Sequence, residues 1–404
     1  MTAEAFVYDA IRTPRARVRR DGGTLAGVPS YDLLAQVLVE LTRRGLPAKV
    51  VDDVVMGVST TVGEQAGDLA RVAVMRAGWP DETPAGVVSR LCCSGLDAIA
   101  SGAAQVRTGM AGAVVVGGAE SMSRTPMMAD RPAFALDDDL GDATGFVTIG
   151  VSADATAAKH GFTRAELDAW AVRSHARAAA ADWRCVVPVT SGGETLLERD
   201  EGARDGVTAE SLAALPALFA DDPLWSRVEE RFAGFVRPAG GLHTVATAPQ
   251  MCDGASAALL GSADLEQTLG RAPIGRIVAW AHAAVRSPGL DGTITAARTA
   301  LSRAGIEADD LVVAEVNESF SVTPLLVARE LGLGDDVINV QGGAVAVGHP
   351  LGASGGMLLA HAMELLGRRG GGHGLLVIPG ALGVATAVVV EGFAQEDALP
   401  GGGA

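Results

Sequence analysis

The chain carries the same order of features twice. In the first copy a strand and a helix lead to Val51-Asp52-Asp53-Val54-Val55-Met56-Gly57. Ser94-Gly95 then opens a helix that closes on Arg107-Thr108-Gly109, and Val114-Val115-Val116-Gly117-Gly118 follows. In the second copy a strand and a helix lead to Ala308-Asp309-Asp310-Leu311-Val312-Val313. Ser354-Gly355 opens a helix that closes on Arg368-Arg369-Gly370, and the run Leu375 to Gly380 follows. Two copies of one βαβ-type unit predict a pseudo-twofold molecule with its cleft between the halves.

The class is α/β, because short Val/Ile/Ala runs alternate with helical periodicity. Strands are expected at Phe6 to Asp9, Val54 to Val58, Ala113 to Val116, Ile277 to Ala281, Val312 to Val316 and Leu375 to Ile378. Helices are expected at Tyr31 to Arg44, Leu96 to Arg107, Ala296 to Ala304 and Met357 to Arg369. Each of these helices ends near a glycine (Gly45, Gly109, Gly305, Gly370), as C-terminal capping requires. Between the copies the texture changes: Met-rich, then a Gly-poor helix over Thr163 to Ala181, then polar and proline-punctuated sequence. The expected organisation is a first core half at 1–120, an inserted loop domain at 121–247, a return strand and helix at 248–270, and a second core half at 271–404.

The 404 residues allow two or three units, each able to bury a core. A formal net charge of −16 repels polyanions, so no nucleic-acid role is expected. The dense basic run from Arg12 to Arg20 reads as a solvated loop. Four cysteines, Cys92, Cys93, Cys185 and Cys252, form neither a disulfide ladder nor a CxxC metal pair, and fit thiols in a reducing compartment. The N-terminus lacks a basic region ahead of an apolar stretch, so a cytoplasmic location is expected. The uncharged run Gly370 to Val390 is interrupted by Pro379, Gly380 and Gly383 and reads as two buried strands, not as a membrane span. There is no metal cluster and no phosphate-binding loop spacing.

Candidate chemistry begins at Cys92, at a strand-to-helix junction where the helix dipole and N-terminal N–H groups favour a thiolate nucleophile. The equivalent place in the second copy is a glycine-rich bend, Gly342 to Gly355, holding His349. If the halves pair as a twofold, Cys92 and His349 approach one cleft from opposite sides, the activated-nucleophile arrangement for acyl transfer. Two buried, inert cysteines are the plainer alternative. Asn317, directly after a strand, can present an amide to an oxyanion or serve only as a turn residue.

These three blocks together resemble the thiolase family over nearly the whole chain. The resemblance extends to Gly117-Gly118-Ala119-Glu120-Ser121-Met122-Ser123, Ile149-Gly150-Val151-Ser152-Ala153-Asp154, Arg173-Ser174-His175, Asp253-Gly254-Ala255-Ser256-Ala257 and Asn317-Glu318-Ser319-Phe320. It is sharpest in the glycine block through His349-Pro350-Leu351-Gly352-Ala353-Ser354-Gly355. It implies a thiolase-like fold: two duplicated βαβαβαββ core halves in five layers, an inserted loop domain, and a homodimer or homotetramer. It also implies that Cys92 is the acylated nucleophile, that His349 is its base, and that Asn317 holds a water in the thioester oxyanion hole. Ser354, Ala248 and Pro249 fall in the coenzyme A-contacting stretches. No permanently bound cofactor is implied, only a coenzyme A thioester as substrate.

The chain departs from that pattern at the family's second catalytic cysteine, the acid/base for the α-carbon. Counting from His349 to the Val389-Val390-Glu391 strand puts Pro379 there, with Ala381 and Gly383 on the two following glycines. Proline cannot titrate, and general acid/base help at such a step is worth about 10²–10⁴-fold. A neighbouring side chain such as Cys93 or Cys252 is the alternative proton source. Ser89 replaces an asparagine, Pro249 a serine that touches the pantetheine arm, and Gly289 a methionine of the acyl pocket. The segment Phe219 to Pro238 is longer than usual, reading as an apolar cover over the site or as packing on a neighbouring subunit.

Three functions follow as expectations. The first is an acyltransferase that loads Cys92 from a coenzyme A or acyl-carrier-protein thioester and passes the acyl group to an acceptor needing no α-carbon deprotonation. The second is a conventional β-ketoacyl-CoA thiolase with its acid/base supplied elsewhere. The third is a non-catalytic coenzyme A-binding protein.

Overall fold

The apolar runs are strands, and those without polar alternation are buried on both faces. The computed structural model describes residues 4–394. The first copy forms β1 (Ala5–Arg12), β2 (Ala16–Arg17), α1 (Ser30–Arg43), β3 (Asp53–Gly57), α2 (Leu69–Arg76), β4 (Ala85–Val88), α3 (Ser94–Thr108) and β5 (Ala113–Ser121). The intervening chain forms α4 (Ala133–Leu136), α5 (Asp138–Thr144), α6 (Ile149–Lys159), α7 (Arg164–Ala180), β6 (Val189–Ser191), β7 (Glu194–Leu197), α8 (Ala209–Ala213) and α9 (Trp225–Arg231). Then come β8 (Cys252–Gly261), α10 (Leu265–Leu269), β9 (Gly275–Ala284), α11 (Gly292–Ala304), β10 (Leu311–Val316) and α12 (Val322–Leu331). The chain closes with α13 (Ala344–Val347), α14 (Ser354–Arg368), β11 (Gly371–Pro379) and β12 (Val384–Phe393). Every residue of β5 and β8 is buried.

Strand pairing displays the duplication. One side runs β1-β8-β5-β3-β4, the other β9-β12-β11-β10. In the first, β8 is antiparallel to β1 and β5, and β3 is parallel to β5 and β4. In the second, β12 is antiparallel to β9 and β11, and β10 is parallel to β11. Where the first half has β4, the second has a single parallel bridge between Ala314 and Ile338. A short antiparallel pairing, Ala5 with Ile277 through Val7 with Gly275, joins the halves.

Five layers follow from which helices touch which strands. On the outer face of the first half, α1 supplies Leu33 and Leu38 and α2 supplies Val74, packed with Val54, Val115 and Leu259. On the outer face of the second, α11 supplies Ala297 and Leu301 and α12 supplies Leu326, packed with Ala281, Leu375 and Val389. Between the halves, α3 and α14 each contact strands of both sides. Their Leu96, Ile99, Leu359 and Ala362 share one cluster with Val114, Val116, Leu376 and Val388. Helices with neighbours on every side must be apolar all round, and α14 is buried at all but two of its 15 residues.

One sequence reading changes. The run from Arg12 to Arg20 is not simply a solvated loop. Arg12 and Arg15 are buried, with Arg12 forked onto Asp200 at 2.7 Å through both terminal nitrogens, while Arg19 lies in solvent. A buried guanidinium needs such a partner, because desolvation is otherwise prohibitive. The long segment after Phe219 packs on its own chain: Trp225 and Val228 of α9 cluster with Val151 and Ala155 of α6. Arg231 of α9 donates to the Ser287 carbonyl at 2.8 Å. Among the described residues, no helix is long and apolar enough to cross a membrane.

Candidate active site

The two middle-layer helices meet at their N-termini through glycines. A Cβ on Gly95 would stand 2.7 Å from the Gly352 carbonyl oxygen, and one on Gly355 would stand 2.2 Å from the Leu96 nitrogen. Only glycine allows that approach. Cys92 lies three residues before Gly95 and His349 three before Gly352, so both stand within three residues of that backbone contact.

A tight turn carries Cys92. Leu91 has a positive φ of 51°, costly for a branched-chain residue. The turn is held by Ser94, whose hydroxyl donates to the Leu91 carbonyl at 2.5 Å and accepts from the Arg90 N–H at 2.9 Å. Cys92 is half-buried, whereas Cys93 is buried and its thiol donates to the Ile378 carbonyl at 3.2 Å. All four cysteines are free thiols.

The helix-favoured thiolate expected at Cys92 is opposed by its surroundings. Burial, aided by the charge of Glu120, pushes this thiol up to about 12. A helix terminus is worth roughly 0.3–1 kcal/mol, less than one pKa unit, whereas burial shifts a group by several. Cys92 is therefore a neutral thiol at rest, able to attack only if a base takes its proton.

His349 has the state such a base needs. Burial, with Arg15 adding, holds its imidazole down at about 3, so it is uncharged at neutral pH. Its Nδ1 lies 2.7 Å from the Ser354 hydroxyl, and its Nε2 lies 3.3 Å from the Asn317 amide nitrogen. Because the amide can only donate, Nε2 must accept, which places the ring proton on Nδ1. The Nε2 lone pair is thus the basic site, engaged at rest by the Asn317 amide. The backbone N–H of His349 is anchored on the Gln250 carbonyl at 3.0 Å, and Gly348, at φ 98°, makes the bend behind it. A Cβ at Gly348 would meet the Cys252 sulfur at 2.7 Å, so that buried thiol packs against the back of the bend.

Asn317 directly follows β10, its N–H bonded to the Val377 carbonyl at 2.8 Å. Its amide also donates to Ser319 Oγ at 2.8 Å. Ser354 is buried and engaged with His349, whereas Ala248 and Pro249 are half-buried in the segment leading to Gln250. Pro379 ends β11 opposite Ala385, and Gly380 follows it against Cys93 and Leu91. From Val377 to Gly383 no side chain can titrate.

Two carboxylates that frame the site were given no role from the sequence. Glu120, at the end of β5, accepts from Ser59, Thr60 and Gln65 of the first half and from the Gly352 N–H of the second, at 2.7–3.1 Å. Glu318 accepts from Trp170, Ser174, Asn339 and the Val345 N–H, at 2.7–3.1 Å. Both are fully buried. The available signal was a carboxylate inside a run of small or apolar residues, which seldom occurs without several donors waiting for it.

A cavity of about 490 Å³ lies where the α9 segment faces Val285 to Asp291. Phe232, Phe235, Val285, Pro288 and Gly289 line it, so α9 and its flanks wall the space beside Gly289.

Residues 5–223 match the model of the thiolase N-terminal domain, and residues 271–392 match that of the thiolase C-terminal domain. A β-ketoadipyl-CoA thiolase of Escherichia coli is 35% identical over 96% of this chain and 99% of its own length. An acetyl-CoA acetyltransferase of Shinella zoogloeoides is 36% identical over 94% and 97%. Among solved structures, the human mitochondrial 3-ketoacyl-CoA thiolase superposes with a TM-score of 0.83 at 30% identity, over 96% of this chain and 99% of that one. The Bacillus anthracis acetyl-CoA acetyltransferase gives the same TM-score at 28% identity, over 97% and 99%. With both halves of the duplicated core matched and relatives aligned along nearly the full length, the chain belongs to the thiolase family.

Proposed function

We propose that this thiolase-family acyltransferase forms an acyl-Cys92 intermediate from a coenzyme A thioester and delivers the acyl group to an acceptor that needs no α-carbon deprotonation. His349 Nε2 takes the Cys92 proton as sulfur attacks the thioester carbonyl. The bond from carbonyl carbon to coenzyme A sulfur breaks, and the proton passes to the departing thiolate. In the second step an oxygen, nitrogen or sulfur nucleophile, or water, gives its proton to His349 and takes the acyl group, which restores the Cys92 thiol. Asn317 serves both steps by orienting Nε2 and by placing amide polarity at the reacting carbonyl.

The observation that carries this reading is the turn from Val377 to Gly383. It lies against Leu91 and Cys93 and offers no group able to move a proton at an α-carbon. Cys93 is a poor substitute, because burial drives its thiol far above the ordinary range and its proton is committed to the Ile378 carbonyl. A second reading, conventional β-ketoacyl-CoA thiolysis, is favoured by relatives named β-ketoadipyl-CoA thiolase that align over nearly the whole chain.

Intact-mass measurement after incubation with acetyl-CoA and acetoacetyl-CoA, with thiolysis followed in parallel, separates the readings. Acylation that is lost in Cys92→Ala, together with negligible thiolysis, is the expected result. Rapid thiolysis favours the second reading, and no acylation by any thioester, including an acyl-carrier-protein one, defeats both.

A further inference from the structure

Several buried polar atoms without a hydrogen-bond partner among the described residues gather in one region: Arg12 Nε, Arg15 Nε, Glu315 Oε1, Gln341 Oε1 and His361 Nε2. Arg15, Gln341 and His361 line a single cavity of about 520 Å³, together with Trp183, Asp200 and Val347. The other two atoms stand just behind it. Glu315 Oε2 meets His361 Nδ1 at 3.3 Å, and Arg12 lies 5.9 Å over the Trp183 ring, which itself stacks on His361 at 3.9 Å. A buried polar atom left unbonded costs about 1–3 kcal/mol, so a cluster of them around one cavity points to something the cavity is built to hold.

The donors have a sign. Asp200 is already committed, receiving both terminal nitrogens of Arg12 at 2.7 Å and the Arg15 backbone N–H at 2.8 Å. The Arg15 guanidinium reaches it only at 3.9 Å and is left a buried cation without a full partner. Glu315 is pushed up to about 8 by burial and is protonated at neutral pH. It then donates to His361 Nδ1, which leaves Nε2 carrying the ring proton. Arg15 and His361 thus both present N–H groups, matching a carboxylate, which a guanidinium grips with two parallel bonds. Asp182, Glu198 and Asp205 also line the cavity, against Arg199, so Arg15 has to outweigh this negative surplus for one carboxylate, and each further charge on the ligand adds to the repulsion.

We propose that this cavity binds a small organic monocarboxylate, its carboxylate held by Arg15 and His361. The site is separate from the Cys92 cleft but shares a wall with it: Gly342 and Val347 of the bend that ends at His349 also line the cavity. Occupancy therefore stiffens the bend that carries the catalytic base. This inference does not rest on the acceptor proposed above.

Calorimetric titration of the intact protein with propionate, succinate and inorganic phosphate tests it, alongside hydrogen exchange across residues 341–349. Propionate is expected to bind, succinate and phosphate to bind at least about tenfold more weakly, and the bend to exchange more slowly when propionate is bound. Arg15→Met is expected to abolish propionate binding. His361→Phe, which removes the second N–H donor while keeping a ring against Trp183 and the Arg12–Asp200 pair, is expected to weaken it about threefold or more and keeps the test open if the first variant does not fold. The proposal is overturned if propionate shows no binding up to about 10 mM, if succinate or phosphate binds equally well, or if neither substitution changes the affinity.

Discussion

The Ser354 hydroxyl lies 2.7 Å from His349 Nδ1, while the amide of Asn317 faces Nε2 at 3.3 Å, so the ring is held in one tautomer from both ends. Ser354 is the first residue of α14, next to the Gly355 whose backbone abuts Gly95 of α3. Its position makes it an orienting residue for the base. Ser354→Ala removes the acceptor for the Nδ1 proton and lets the ring turn its proton toward Cys92. Acylation of Cys92 by acetyl-CoA, followed by intact mass, is expected to slow about 10- to 100-fold. Ser354→Thr, which keeps the hydroxyl, is expected to recover much of that rate. An unchanged rate in the alanine variant would show that the tautomer is fixed by other means.

The resting state of Cys92 has its own signature. A thiol held near 12 is almost wholly protonated through neutrality, and a histidine held near 3 does not charge in that range. Alkylation by iodoacetamide should therefore rise about tenfold per pH unit from pH 7 to pH 10, with no plateau. An ordinary thiol, at about 8.5, levels off within the same window. A plateau below pH 9 would restore the helix-activated thiolate that the sequence suggests and would make a proton transfer to His349 unnecessary.

That sequence reading shows where legibility stopped. Strand and helix positions were readable because the apolar runs and their glycine stops are local signals, and the duplication carried the order of the layers. The positions of Cys92, His349 and Asn317 beside helix starts and a strand end were readable, because each sits at the end of a recognisable element. The Cys92 thiol state was not, since it depends on burial and on Glu120, which is near only after β5 and the second half's glycine bend have come together. Ser354 shows the same limit: a serine opening a helix reads alike whether it meets a ligand or the catalytic base. So do Arg12 and Arg15, whose burial depends on Asp200, distant along the chain.

Buried titratable groups also set how stability follows pH. His349 is held at about 3 and His175 at about 4, both lowered chiefly by burial. Below pH 6.5 the unfolded chain binds protons at these two positions and the folded chain does not, so stability falls on acidification, by about 1.4 kcal/mol per pH unit for each group. Glu315, raised to about 8 by burial, acts in the opposite sense. Between about pH 4.5 and pH 8 the folded chain holds a proton there that the unfolded chain has lost, so stability falls as pH rises. The melting temperature is expected to peak near pH 6.5 and to decline on both sides. Glu315→Gln should flatten the decline between pH 6.5 and pH 8 and leave the acid side in place. A melting temperature that climbs steadily to pH 8 would contradict the protonated state of Glu315.

The turn after β11 supports the sharpest functional test. Pro379 pairs with Ala385 at the end of the β11–β12 hairpin, and Gly380 beside it abuts Leu91 and Cys93, so position 379 is one residue from a backbone that meets both neighbours of Cys92. Pro379 offers no N–H to the sheet and no proton to the chemistry. Pro379→Cys supplies a thiol at the place where the family resemblance puts the second catalytic cysteine, without touching Cys92, His349 or Asn317. If α-carbon proton transfer is the missing capacity, the variant should gain thiolysis of acetoacetyl-CoA, by up to about 10²–10⁴-fold over the parent, the range a positioned acid/base supplies. Its rate of Cys92 acylation by acetyl-CoA should stay close to the parent's, since that step uses His349 and Asn317 and nothing at position 379. Equal thiolysis in parent and variant, at a rate matching acylation, would mean the parent already moves that proton by another route, and the proposed restriction on acceptors would fall.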